Sequence, residues 1–245
     1  MKFIKLFFLI LSTIYSSYIY STTKLTLITE DFRPPLNMLV NDKITGMSTE
    51  IMQELMRREK IEYTLDIYPW ARGVNMTQKQ NNTALFSTTR TPEREKLFKW
   101  VGPLVANNWV FFAKKGSTIK IISLEDAKKH VVGVYNEDAV TEYLLKNGFE
   151  RNKNLDVSTN DQQNALKLEA GRIDLWASGS TLGPWIVKTA KSGKITELFT
   201  FNKTDLYAAF NLGTSDELIK KLNSTLKKMK QDSTVEKIYA KYRTP

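Results

Sequence analysis

The chain has 245 residues, 42% of them apolar and 25% charged, the make-up of an ordinary globular protein with room for one large domain or two lobes. It contains no cysteine, which excludes a disulfide framework and a lipid anchor carried on an N-terminal cysteine. The formal charge of +10 raises the question of nucleic acid or anionic membranes, but the lysines are dispersed and no nucleic-acid module accompanies them.

Lys2 and Lys5 precede an apolar run, Leu6 to Leu11, and small or polar residues follow to Ser21. This pattern predicts a secretory signal peptide over residues 1–21, cut between Ser21 and Thr23; the run is too short to span a bilayer. Leu25 to Thr29 reads as a strand, followed by the Pro-marked loop "EDFRPPL". Ile51, Met52, Leu55 and Met56 recur at helical spacing within 48–59, and Ile61, Tyr63, Leu65 and Ile67 alternate as a half-buried strand. "YPWARG" leads into a helix and "TALFST" is a third strand, so strand and helix alternate as in a crossover-built α/β sheet.

In "STTRTPEREKLFKWVGPL", Thr91 as N-cap and Pro92 at the first helical position predict a helix start. A cation in that first turn is unusual, because the helix end already carries partial positive charge. Arg94 is therefore either a surface charge paired with Glu93 or Glu95, or one side of a site for something negative.

After Pro103 the pattern restarts. "NWVFFAKKG" and "VVGVYN" read as strands around a short helix "SLEDAKKH", and helices follow at 138–147 and 161–170, closed by Gly148 and Gly171. "RIDLWAS" and "LYAAFNL" are further strands, and two amphipathic helices end the chain. Lys220, Lys221, Lys227, Lys228 and Lys230 fall there, as a solvated face and as partners of the helix dipole.

In this order, "TLITEDFRPPL", "ITGMSTEIMQELMRR", "YPWARGV", "TTRTPEREKLFKWVGPL", "VVGVYN", "ALKLEAGRIDLWAS" and "STVEKIYAKY" resemble the bacterial extracellular solute-binding proteins that include polar amino-acid receptors of ABC transporters. The resemblance implies an α/β, two-lobed periplasmic-binding-protein clamshell, each lobe a mixed sheet flanked by helices and joined by two crossover segments. Residues 22–106 plus 203–245 would form lobe 1 and 107–202 lobe 2, closing on a ligand by hinge motion. It further implies a periplasmic, monomeric, non-catalytic receptor without cofactor or metal, which passes a small carboxylate-bearing solute to an ABC permease and binds no nucleic acid. Two other functions share the fold: a ligand-sensing subunit for a membrane receptor, and a cyclohexadienyl dehydratase-like enzyme.

By the same resemblance Arg94 grips the ligand carboxylate, a task its planar fork of donors suits. Thr89 and Ser87 supply hydroxyl and backbone contacts, Trp70 stacks on the ligand and Phe32 stands at the cleft mouth, although both aromatics, Phe32 more so, also read as half-buried core. Arg33 takes the place of an aromatic lid, and Arg33, Arg72 and Arg90 each have a cleft reading and a solvated one. Gly179 stands where the relatives' aspartate pairs with the ligand ammonium. Glu137 and Asp138 replace a small turn, so either one substitutes for the missing acid or Asp138 is only a helix N-cap. Glu30, Glu137 and Asp138 are the acidic candidates near the cleft, while His130 precedes the lobe 2 strand. Trp176 and Trp185 flank the gap at Gly179; Trp176 alternates with Ile173 and Leu175, as a core residue would.

Overall fold

The computed structural model describes residues 24–30, 33–136 and 138–242; the predicted signal peptide, Phe32 and Glu137 lie outside the described residues. The first part of the chain forms β1 (Leu25–Thr29), β2 (Met38–Val40), β3 (Lys43–Thr45), α1 (Met47–Glu59), β4 (Tyr63–Ile67), α2 (Trp70–Lys79), β5 (Thr83–Thr89) and β6 (Lys99–Ala106). The middle forms β7 (Trp109–Lys114), α3 (Leu124–Ala127), β8 (Val132–Tyr135), α4 (Ala139–Lys146), β9 (Leu155–Ser158), α5 (Asp161–Glu169), β10 (Leu175–Gly179), α6 (Leu182–Thr189) and β11 (Ile195–Asn202). The chain ends with β12 (Asp205–Phe210), α7 (Asp216–Gln231) and α8 (Thr234–Ala240).

These elements build two five-stranded sheets, ordered β4-β1-β5-β12-β6 and β11-β7-β10-β8-β9. In the first, β1 pairs in parallel with β4 and β5, while β12 runs antiparallel to β5 and β6. In the second, β8 pairs in parallel with β9 and β10, while β7 runs antiparallel to β10 and β11. The molecule is thus a pair of α/β lobes with mixed sheets. The chain passes between them twice, and the crossings lie side by side: Asn107 N donates to Thr204 O at 3.0 Å and Thr204 N to Asn108 Oδ1 at 3.3 Å.

Apolar periodicity explains how the layers pack. Ile51, Met52, Leu55 and Met56 of α1 are fully buried in the first lobe's core. At about 1.5–3 kcal/mol for each such side chain, they contribute on the order of 10 kcal/mol of gross burial energy. Gly46 begins this helix at φ 124°, and a Cβ there would meet Leu36 O at 2.4 Å, so the position requires glycine. Along α7, Leu222, Leu226 and Met229 join the same core. Among the described residues, no helix is long and apolar enough to cross a membrane.

The structure departs from the sequence expectation at residues 91–97, which form successive turns and no helix. Arg94 N donates to Thr91 O and Leu97 N to Arg94 O, each at 3.0 Å. The segment is short and its one large apolar residue, Leu97, is 42% exposed, so no buried face offsets the cost of helix nucleation. β2, β3, β6, β9, α6 and β11 also go beyond the elements expected from the sequence. Pro103 obscured β6, but that strand is an edge, where a missing N–H costs no ladder bond.

Candidate ligand-binding cleft

The polar side chains that face one another between the lobes arise at the carboxyl ends of strands. Glu30 and Arg33 follow β1, Trp70 follows β4, and Ser87 and Thr89 close β5. Across the gap, Tyr135 ends β8, Asp138 caps α4, and Asp161 opens α5 after β9. Open α/β sheets place ligands at this end of their strands. Glu30, Arg33, Trp70, Ser87, Thr89, Arg94, Tyr135 and Asp138 line one small pocket.

One end of the pocket is cationic and aromatic. Ser87 has φ 59°, a left-handed conformation that non-glycine residues rarely adopt and that functional sites often hold. The turns that follow β5 bring the Arg94 guanidinium back over the Trp70 ring, 4.9 Å from its centroid. Arg94 is 12% exposed, yet its contacts are long: Nη1 to Thr89 O at 3.5 Å and Nη2 to Glu142 Oε2 at 3.6 Å. Glu142 is itself 48% exposed, so solvent screens that pair. Glu93 and Glu95, the surface partners considered for Arg94, bind Lys146 and Arg90 instead. The Ser87 hydroxyl is buried and has no hydrogen-bond partner among the described residues. This end therefore presents donors with unused capacity.

The other end is a closed ion network. Arg33, 14% exposed, directs Nη1 and Nη2 at Asp138 Oδ2, both at 3.2 Å. Its Nη1 lies 3.8 Å from Asp161 Oδ2 and its Nε 4.0 Å from Glu30 Oε2. Tyr135 OH donates to Glu30 Oε1 at 2.5 Å, and Trp176 Nε1 to Asp161 Oδ1 at 3.0 Å. Burial works against the Arg33 charge, but Asp138, Glu30 and Asp161 together raise its pKa still further. Burial pushes the Asp161 carboxyl up to about 6, against the opposing pull of Arg33. Burial, then the charge of Glu30, raises the Tyr135 phenol.

Other residues singled out in the sequence lie elsewhere. Arg72 is exposed on α2 with its guanidinium 4.3 Å from the Tyr68 ring centroid, outside the pocket. Arg90 makes a two-pronged pair with Glu95 at 2.6 and 2.5 Å and rests against the rings of Trp100 and Tyr207. Trp176 is fully buried core, and Trp185 is half-buried with Nε1 donating to Tyr242 O at 3.1 Å. A Cβ at Gly179 would lie 2.1 Å from Asn107 Oδ1, so the crossover residue Asn107 fills the space a side chain there would need. Tyr135 and Asp161 escaped the sequence reading, although each stands at the carboxyl end of a predicted strand or the start of a predicted helix.

Two α/β lobes joined by paired crossovers, with facing polar groups at their strand ends, define the periplasmic-binding-protein fold. The chain belongs to the bacterial extracellular solute-binding proteins, family 3, whose family model matches residues 25–245. A putative ABC transporter arginine-binding protein 2 from Escherichia coli (strain K12) is 27% identical over 225 residues, covering 87% of this chain and 88% of the relative. The L-cystine-binding protein TcyJ of the same strain is 24% identical, over 85% of this chain and 78% of the relative. A histidine kinase sensor domain with similarity to periplasmic binding proteins superposes with a TM-score of 0.80 at 17% identity, covering 90% of this chain and 96% of that one; that likeness is one of fold.

Proposed function

We propose that this protein is a non-catalytic periplasmic receptor that captures a small carboxylate-bearing solute between its lobes and presents the closed form to an ABC permease. One observation carries the reading: Arg94 is held over Trp70 with its fork of donors lightly engaged, beside the buried, unpartnered Ser87 hydroxyl. A carboxylate would satisfy both groups, since guanidinium and carboxylate match in a two-pronged hydrogen bond. The relatives named for arginine and cystine support a small polar solute, and they differ in which one.

The test is a thermal-shift screen of small carboxylates and amino acids against the mature protein. A ligand at 100 times its Kd should stabilise the fold by about 2.7 kcal/mol. Chromatography of the bound solute after prolonged incubation should return it unchanged. A set of hits without any carboxylate, or conversion of the solute, would overturn the reading.

A further inference from the structure

We infer that Arg33 is a tethered stand-in for a ligand's cationic group, so that the cleft takes a small acid lacking an ammonium group. The inference rests on the carboxylate-receptor reading and names the class of carboxylate.

Three carboxylates converge on Arg33: Glu30 of lobe 1 and Asp138 of lobe 2 at the pocket wall, and Asp161 of lobe 2 behind it. Such a group of acids would receive a cation, and the chain supplies that cation itself. The Arg33 guanidinium lies among all three, within 3.2 to 4.0 Å of each. Each acid also accepts a hydrogen bond from another group: Tyr135 OH on Glu30, Trp176 Nε1 on Asp161, and Val140 N on Asp138. A ligand ammonium would compete with these donors and would approach a guanidinium of its own sign.

The end of β10 offers no further acid: position 179 is glycine, and a side chain there would have to move the Asn107 amide, whose Oδ1 lies 2.1 Å from where a Cβ would be. In this arrangement the pocket is closed down to about the size of one water, so a solute enters only as the lobes part. The lightly engaged Arg94 and the unpartnered Ser87 hydroxyl lie at the other end of the pocket. A compact monocarboxylate or dicarboxylate fits this distribution of charge, whereas a basic amino acid would bring a second cation to a filled site.

The experiment uses the mature wild-type protein and matched pairs differing only in the α-ammonium: glutarate with L-glutamate, succinate with L-aspartate, and 4-methylpentanoate with L-leucine. Calorimetric titration should give at least tenfold tighter binding for the acid of any pair that binds. In parallel, Arg33→Ala opens the acid cluster, so millimolar methylguanidinium should raise its Tm by several degrees and leave wild type unchanged. Arg33→Met, which keeps the packed stem, takes its place if Arg33→Ala does not fold. Tenfold preference for the amino acid overturns the inference but leaves the carboxylate-receptor reading intact. No binding of any carboxylate removes that reading, while absence of methylguanidinium rescue removes the stand-in role of Arg33 independently.

Discussion

Arg33 reaches across the cleft and places both terminal nitrogens 3.2 Å from one oxygen of Asp138, whose other oxygen accepts from Val140 N at the start of α4. The two readings of Asp138 are therefore joined: it caps a lobe 2 helix and also receives a cation, which comes from lobe 1 of the same chain. Asp138→Ala removes both roles. Loss of an N-cap costs about 1 kcal/mol, and stranding a buried charge costs up to about 3–5 kcal/mol. With Asp138 16% exposed, we expect a loss of about 2–4 kcal/mol in urea unfolding, and a smaller one for Asp138→Asn.

The Arg33 network also joins the lobes mechanically. Together with Tyr135 on Glu30 and Lys146 on Glu93, it supplies contacts between lobes without any bound solute. Arg33→Ala should shift the ligand-free protein toward an open arrangement, seen as a larger radius of gyration in X-ray scattering. An unchanged radius would mean that these contacts do not set the closure equilibrium.

At the other end of the pocket, Arg94→Lys retains the charge but loses the planar fork and its stacking on Trp70. Binding of a carboxylate hit should weaken by about 30-fold or more, in line with the roughly 2–5 kcal/mol lost when one member of a buried charged contact is truncated. Ser87→Ala removes one neutral hydrogen bond, for which about 1 kcal/mol is typical, so its effect should be near fivefold. Equal effects from both variants would place the anion elsewhere.

The sequence made the fold legible because its main strands and helices announce themselves by apolar period, as in Ile51 to Met56 and in "VVGVYN". The pocket residues of lobe 1 were legible for a related reason: they sit in short loops directly after recognisable strands. The Arg33 network was not. Arg33, Asp138 and Asp161 are separated by 105 and 23 positions, and only the meeting of two lobes makes them neighbours. The supposed helix at Arg94 failed because caps mark only where a helix begins, while buried apolar area decides whether it forms.

Gly179 offers a direct test of why the chain has no acid at that strand end. A Cβ there would sit 2.1 Å from the Asn107 side chain, which is nearly buried beside the crossover and accepts from Thr181 N. Gly179→Asp should therefore destabilise by about 1–3 kcal/mol, the range for overpacking, and should not confer amino-acid binding. Gly179→Asp combined with Asn107→Ala should recover part of the loss. Tight ammonium-dependent binding by the single variant would show that the strand end has room after all.

Stability should also depend on pH through Asp161. The Asp161 carboxyl is pushed up to about 6 by burial, above the ordinary aspartate value of 3.8, although Arg33 pulls the other way. The folded state therefore holds more protons than the unfolded chain between about pH 4 and 6. By linkage, this group's contribution to stability falls as pH rises through that window, and its full penalty is present above it. Asp161→Asn keeps an acceptor for Trp176 Nε1 and cannot ionise, so it should lose that pH dependence. Relative to wild type it should gain up to a few kcal/mol between pH 4 and 7, following about 1.4 kcal/mol for each pKa unit. Urea unfolding at pH 4, 5, 6 and 7 measures the difference. A constant gap between the two proteins would mean that Asp161 titrates alike folded and unfolded, and that its charge is already well accommodated beside Arg33.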